Sequence, residues 1–390
     1  ARRPAGAPDE ELARPVTKVG IVGAGLMASQ LAWEFLRRLE VPVVISDLDT
    51  ERVDRGLGYV TGQVDVALAK GRLSPDKANR LKALISGSVE VASFADCDFV
   101  LEAVFEELSV KKGVFATLEQ IVSETCVLAT NTSSLSVSEM AADLAHPRRV
   151  MGFHFFNPVA VLPLLEVVKG QLTDNPTLAT ALSVAKSLKK NAVLVKDAPA
   201  FVVNRLLTRW MGEVMQAVDE GTPIKIADSA FRPLGLPMSP FVLLPLVGPA
   251  IGLHVAETLN AKFGDRFPVS PNLKALVAAD KPGIYDWTPE GKPYVSEETQ
   301  ALFTVADSPS SAEEVRIRAL SALAEEIGLM LSEKVVAAPM DIDLCMILGA
   351  GWPFHLGGIT PYLDRQGIST KIIGQTLLPP GVASVAQVAS

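Results

Sequence analysis

KVGIVGAGLMASQLAWEFL, residues 18–36, runs from a short apolar stretch (Lys18 to Val22) through a glycine turn into a segment with helical apolar spacing. A strand, turn and helix in that order bring backbone N–H groups and the positive end of a helix dipole to one point. Glycine at Gly23 and Gly25, with Ala28 in the third position, lets a pyrophosphate approach that backbone. Glycines also serve ordinary tight turns, so the pattern draws its weight from the next strand. That strand, the apolar run VPVVIS, ends at Asp47, and 47 − 25 = 22 positions suits an acid that hydrogen-bonds an adenosine ribose. A carboxylate there repels a 2′-phosphate, which predicts NAD rather than NADP.

Two later runs read as strands of the same sheet. DFVLEAVFEE, residues 98–107, is nearly continuous in apolar residues, as a strand covered on both faces should be, and it delivers Glu106 to the edge where ligands bind. CVLATNTSSLS, residues 126–136, does the same for Asn131 and Ser133. Ser136 and Glu139 have the spacing of a helix capping box, which leaves Ser133 outside it. In MGFHFFNPVAVLPLLEVVKG, residues 151–170, His154 precedes Asn157-Pro158, and Glu166 comes after a turn around Pro163. A hairpin-like return brings the two side chains together. A carboxylate beside an imidazole fixes its tautomer and stabilises its charged form, as a general base near neutral pH requires. A buried histidine beside a chance acid would read the same way in isolation; the surrounding motifs decide for the pair.

Beyond Asp197 the alternation of strands and helices stops and the rest reads as helical. PAFVVNRLLTRWMGEVMQAVDEG, residues 199–221, has the spacing of a core-facing helix, with Asn204 at the margin of its apolar stripe. Further on there is an internal repeat. IADSAFRPLGLPMSPF (226–241) is echoed by DIDLCMILGAGWPFHLGG (341–358): Asp228 matches Asp343 at an offset of 115 and Pro237 matches Pro353 at 116. Upstream, Arg205 matches Arg318 and Glu213 matches Glu326, both at 113. Shared order favours duplication over chance. At that offset Asn204 matches Ile317, so the second copy is expected to support the first, with Ile317 packed inside. The stretch from about Asp265 to Pro309 reads as a connecting segment.

The 390 residues suffice for two or three domains, and 48% hydrophobic content fills them. A net charge of −8 argues against nucleic acid. Cys97, Cys126 and Cys345 show no C-x-x-C spacing and fit a reducing compartment, here the cytoplasm. The four histidines, His146, His154, His254 and His355, form no close ligand cluster, so no metal is expected. The longest uncharged stretch, near Phe241 to Ala256, is broken by Pro245, Gly248, Pro249 and Gly252, so no membrane span is expected. ARRPAGAPDEELARP lacks the apolar core of a signal peptide and reads as a linker, which implies a longer parent chain.

From about Val16 to the end, the chain resembles the 3-hydroxyacyl-CoA dehydrogenase family. The motifs that carry the resemblance are GAGLMA, EAVFEELSVK, NTSSLS, HFFNPV and then LLEVV, and DAPAFVVNR, in the family's order. Carried over residue by residue, the resemblance implies His154 as catalytic base, Glu166 as its partner, and Ser133 and Asn204 as the groups that hold the reacting oxygen. It puts Gly23, Gly25, Leu26, Met27, Asp47, Glu106, Lys111 and Asn131 around NAD. Asn157 joins Ser133 and Asn204 on the acyl-CoA substrate, and Lys70, after the second strand, meets the CoA phosphates. Three departures stand out: Ala28 for the third glycine, Pro199-Ala200-Phe201 for proline-glycine-phenylalanine, and Met238-Ser239-Pro240 for methionine-glycine-proline.

The expected architecture is thus a 1–15 linker, a Rossmann-like doubly wound α/β domain at 16–198, and two related all-helical domains at 199–300 and 310–390. The implied reaction is NAD-dependent oxidation of (3S)-hydroxyacyl-CoA to 3-ketoacyl-CoA in fatty-acid β-oxidation. A thiolase subunit as partner and an enoyl-CoA hydratase domain in a longer chain go with the larger, multifunctional relatives. The alternatives are a reductase that makes 3-hydroxybutyryl-CoA and a catalytically idle NAD-binding structural protein, as in the lens crystallin that resembles this family.

Overall fold

The computed structural model describes residues 3–382; the ends of the linker and of the second copy, 1–2 and 383–390, lie outside the described residues. The chain divides into two compact units, Ala1–Phe201 and Val202–Ser390. The first unit is built on strands β1 (Val19–Val22), β2 (Val43–Ser46), β3 (Ile85–Ser88), β4 (Phe99–Glu102), β5 (Val127–Thr130), β6 (Val150–Phe155), β7 (Leu164–Lys169) and β8 (Asn191–Lys196). Its helices are α1 (Leu26–Leu39), α2 (Thr50–Ala69), α3 (Pro75–Leu84), α4 (Leu108–Glu119), α5 (Val137–Ala141) and α6 (Asn175–Ser187).

The strands form one sheet in the order β3-β2-β1-β4-β5-β6-β7-β8, parallel from β3 to β6. The reversal between β1 and β4 is the topological switch point of a doubly wound sheet, where ligands bind beyond the carboxyl ends of the strands. Strand β7 turns back antiparallel to β6, and β8 runs parallel to β7. On one face, Phe35 of α1 packs against Phe99, Phe153 and Phe155 at ring separations of 5.8, 6.4 and 6.2 Å. The same strands that lead to the site therefore carry its core. Residues 3–15, which have the composition of a linker, lie against this unit: the Arg14 N–H donates to Thr180 Oγ1 of α6 at 2.9 Å, and its guanidinium reaches Thr125 O at 3.0 Å.

The second unit comprises α7 (Val203–Asp219), α8 (Ile224–Ser229), α9 (Pro240–Val247), α10 (Pro249–Phe263), α11 (Pro271–Ala278), α12 (Glu297–Leu302), α13 (Ala312–Ser332), α14 (Pro339–Ala350), α15 (Ile359–Arg365) and α16 (Ile368–Ile373). Both copies lie in this one unit. The stretch expected to be a connecting segment is folded: it holds α11, α12 and a two-strand ribbon, β9 (Asp286–Trp287) with β10 (Pro293–Tyr294). Its Asn272 is buried and donates to Asp219 of α7 and to Thr304 O. Polar anchors of this kind leave no periodicity in sequence.

The repeated residues pair across the copies. Arg205 of α7 reaches Glu326 of α13 at 2.7 Å, and Arg318 of α13 reaches Glu213 of α7 at 3.1 Å, so the two helices run antiparallel about an approximate twofold. The repeated aspartates also correspond. Asp228 accepts from the Phe241 N–H and the Ser239 hydroxyl, and Asp343 accepts from the Thr360 N–H and hydroxyl. Ser239, where the family has glycine, is thereby used to hold the start of α9. Ile317 departs from expectation: it is 45% exposed. Ala324, seven residues on and so on the same side of α13, is fully buried, which places the exposure of Ile317 at the start of the helix rather than along a solvent face.

Among the described residues no single helix is long and apolar enough to cross a membrane; α9 and α10 reach that length and apolarity only together, and are bent by 94° where one gives way to the other.

Candidate active site

Antiparallel pairing of β6 with β7 sets His154 directly opposite Glu166. Both are buried, and His154 Nδ1 lies 2.7 Å from Glu166 Oε2. An ionised carboxylate can only accept, so Nδ1 is the ring nitrogen that donates in this contact. The rings of Phe156 and Phe201 stand 4.5 and 5.6 Å from the imidazole, walling it with apolar surface. Because β6 runs parallel to β5, His154 arrives at the same carboxyl edge as Asn131 and Ser133. Asn131 ties the two: its Oδ1 accepts from the Phe155 N–H at 2.9 Å.

Ser133 lies outside the cap of α5, in which the Ser136 hydroxyl accepts from Glu139 N–H, but it is bound into a carboxylate network. Its N–H and hydroxyl donate to Glu106 at 2.8 and 3.2 Å, and Thr132 adds a third bond at 2.5 Å. Lys111, also buried, sits 3.2 Å from Glu106 and 2.9 Å from both oxygens of Glu102, whose carboxylate further accepts from Thr130 and the Val104 N–H. Burial disfavours charge on Glu106, yet the Lys111 ammonium, the Thr132 hydroxyl and the Ser133 N–H outweigh it and hold the carboxyl below the usual range. Glu102 and Thr132 are not among the residues that the sequence motifs single out. The i, i+4 and i, i+9 spacing of three charges in EAVFEELSVK is the signal that could find Glu102.

The glycine turn fits a dinucleotide. Gly23 has φ 108°, and a Cβ there would stand 2.9 Å from Ala103 O, so the chain's own packing demands glycine. At Gly25 the demand comes from elsewhere. Its φ of −68° suits any residue, and a Cβ would meet nothing within 4 Å. No side chain caps α1, whose first N–H groups, around Leu26 and Met27, are left for an anion. Asp47 also clamps the turn, accepting the Ala24 and Leu48 N–H groups at 2.7 Å each. Leu26, Leu48 and Phe105, beyond the ends of β1, β2 and β4, are large apolar side chains left exposed where a bound dinucleotide would cover them.

The remaining expected residues are more dispersed. Asn157 Oδ1 accepts from Gln30 of α1 at 3.1 Å, and Gln30 Oε1 accepts the Val159 N–H, so Gln30 fixes the loop after His154. The Asn157–Pro158 bond is cis. Lys70 is exposed at the end of α2. Asn204 belongs to the second unit, on the first turn of α7. Ala200, at the position of the family's glycine, takes φ 58°, the left-handed conformation that glycine adopts without penalty.

Family models match most of the chain: the NAD binding domain of 3-hydroxyacyl-CoA dehydrogenase over residues 18–198, and its C-terminal domain over 201–285. The fatty acid oxidation complex subunit alpha of Idiomarina loihiensis is 32% identical over 365 residues, which cover 92% of this chain and 52% of that one. The chain thus spans about half the length of the curated relative it matches. Among solved structures, (S)-3-hydroxybutyryl-CoA dehydrogenase PaaH1 from Ralstonia eutropha is 29% identical, with a TM-score of 0.65, over 75% of this chain and all of the other. At 22% identity, 3-hydroxybutyryl-CoA dehydrogenase from Escherichia coli shares the fold, with a TM-score of 0.79 over 95% of this chain and 97% of its own. With its glycine turn, its carboxyl-edge network and both family domains in order, the chain belongs to the NAD-dependent 3-hydroxyacyl-CoA dehydrogenase family.

Proposed function

We propose that this chain oxidises (3S)-hydroxyacyl-CoA to 3-ketoacyl-CoA in fatty-acid β-oxidation. The observation that carries the reading is the buried His154–Glu166 pair at the carboxyl edge of the sheet, one strand from Ser133. Bound NAD supplies the acceptor for the hydride that leaves C3. His154 Nε2 takes the hydroxyl proton, and Glu166 stabilises the imidazolium that results. Ser133 and Asn204 hold the reacting oxygen in line with the base. Glu106, Lys111 and Asn131 shape the nicotinamide end, Asn157 the substrate side, and Lys70 meets the CoA phosphates.

A cytoplasmic setting, a thiolase subunit to consume the 3-ketoacyl-CoA and a hydratase domain in a longer chain belong to the same reading. The relative from Idiomarina loihiensis, named the alpha subunit of a fatty acid oxidation complex and covered over 52% of its length, supports a longer chain that works with other subunits. The Ralstonia eutropha relative, named a 3-hydroxybutyryl-CoA dehydrogenase, supports a second reading, a short-chain enzyme, which run as a reductase would make 3-hydroxybutyryl-CoA.

The test is NADH oxidation with acetoacetyl-CoA and with longer 3-ketoacyl-CoA thioesters. The expected result is turnover with NADH and little with NADPH, and Asp47→Ala should narrow that gap. Absence of turnover at every chain length would sink the dehydrogenase reading and leave the idle NAD-binding protein. Activity confined to acetoacetyl-CoA would favour the reductase.

A further inference from the structure

Within the second unit, an open groove of about 70 Å³ lies between α7 and the α9–α10 pair. One water needs only roughly 10–15 Å³, so this is more than a packing defect. Its wall includes Met211, Met215, Leu244, Val247, Ile251 and Val255, and no charged residue lines it. Asn204 lines it too. Along α7, Asn204, Thr208, Met211 and Met215 succeed one another at i, i+4, i+7 and i+11 on one helix face, a run of about 16 Å. The slot is therefore long and apolar, with a side-chain amide at one end.

Two glycines give it its bore. Gly212 sits inside α7, where glycine is a poor helix former, and a Cβ there would meet nothing within 4 Å. Neither backbone conformation nor packing accounts for it. From α10, Gly252 is similarly open, its nearest neighbour being Leu244 Cδ1 at 3.9 Å. Space left at helix-interior positions on both walls is space for something that is not part of the chain. The ligand that matches is an alkyl chain, each methylene of which gains by leaving water.

We propose that this slot receives the alkyl tail of a medium-chain acyl thioester, with Gly212 and Gly252 as its specificity-determining positions. The proposal rests on the dehydrogenase reading, in which Asn204 holds the reacting oxygen of the same substrate.

The experiment compares kcat/KM for 3-ketodecanoyl-CoA and acetoacetyl-CoA, measured by NADH oxidation, in the unsubstituted protein, Gly212→Leu and Gly252→Leu. The unsubstituted protein should prefer the longer thioester. In each variant the ratio of the two values should fall by about tenfold or more, as expected when at least two methylenes stay in water. Leucine is the better helix former, so thermal melts should hold; Gly212→Ala, with a smaller fall, covers a variant that does not fold. A ratio within twofold of the unsubstituted value in folded variants overturns the slot while the dehydrogenase reading stands. No NADH oxidation by the unsubstituted protein with either thioester overturns both.

Discussion

Each unit of this chain buries a cluster of charged side chains, and the two clusters are built to different ends. In the first unit, His154–Glu166 and the Glu102–Lys111–Glu106 group stand at the carboxyl edge of the sheet's parallel strands, beside an uncapped helix terminus and a glycine that packing does not require. In the second, Arg205 and Glu326 are wholly enclosed between α7 and α13; Glu333 and Arg266 join them, and the Phe263 ring lies 4.5 Å from the Arg205 guanidinium. Burial and pairing are alike in both. The difference is what lies next to them: a ligand edge in one case, a helix seam in the other. A buried ion pair alone thus says little about chemistry, and substitutions should separate the two clusters by what they damage.

The largest effect belongs to the first. Glu166→Gln keeps the shape of the side chain but removes the charge that stabilises the imidazolium, so turnover of acetoacetyl-CoA should fall by about 10² to 10⁴-fold. NAD affinity, measured by fluorescence titration, and the urea midpoint should change little. Near-normal turnover would place His154–Glu166 with the structural pairs.

In the second cluster the damage should be to stability alone. Glu326→Gln leaves Arg205 and Arg266 short of a buried counter-charge, with Glu333 still in reach of Arg205. The expected loss is about 3 kcal/mol by urea denaturation, the low end for breaking a buried pair. Its counterpart by the approximate twofold, Glu213→Gln, faces the partly exposed Arg318 and the buried Arg209, which keeps Glu325 within reach, and should cost about 2 kcal/mol. Equal losses would mean that the two halves of the seam are equivalent after all.

How much of this is legible in sequence depends on the range of the interactions. The glycine turn, the ends of the strands and the facing of His154 with Glu166 depend on near neighbours and on a short return, so pattern and spacing suffice. The repeat at 113 exposes the arginines and glutamates, but not that each arginine pairs with the other copy's glutamate, since that exchange is a property of the packed helices. Glu102 is easily passed over because a strand-end acid among apolar residues has no partner until Lys111 folds back over it. Asn272 and the ribbon after it are hidden for the same reason: their bonds to α7 span distances that no local period records.

An intermediate effect is expected where the first cluster supports the Ser133 loop. Glu106→Gln removes a carboxylate that Lys111, Thr132 and Ser133 hold in its charged form, and should cost about 1–3 kcal/mol near neutral pH. The folded carboxyl ionises below its ordinary range. Its contribution is therefore complete above the unfolded value of about 4.3 and is lost as pH falls through the lower, folded value. Urea midpoints of the two proteins should accordingly converge in acid. A gap that persisted unchanged at pH 2 would mean that the charge on Glu106 contributes nothing.

The smallest effect tests the seam at the start of α13. The position in α13 that answers to Asn204 is Ile317, and the repeat predicts that it packs; instead it is 45% exposed, near the start of a helix whose same side is buried further on, at Ala324. An asparagine there has water to bond, so Ile317→Asn should shift the urea midpoint by no more than about 0.5 kcal/mol and leave acetoacetyl-CoA turnover unchanged. Asn204→Ile should slow turnover while the fold survives. The two helices share a framework, but the second leaves this position half-exposed. A loss of about 2 kcal/mol or more in Ile317→Asn, well beyond the range of ordinary surface substitutions, or altered turnover in the folded variant, would show that the start of α13 is covered by something this chain meets only in solution.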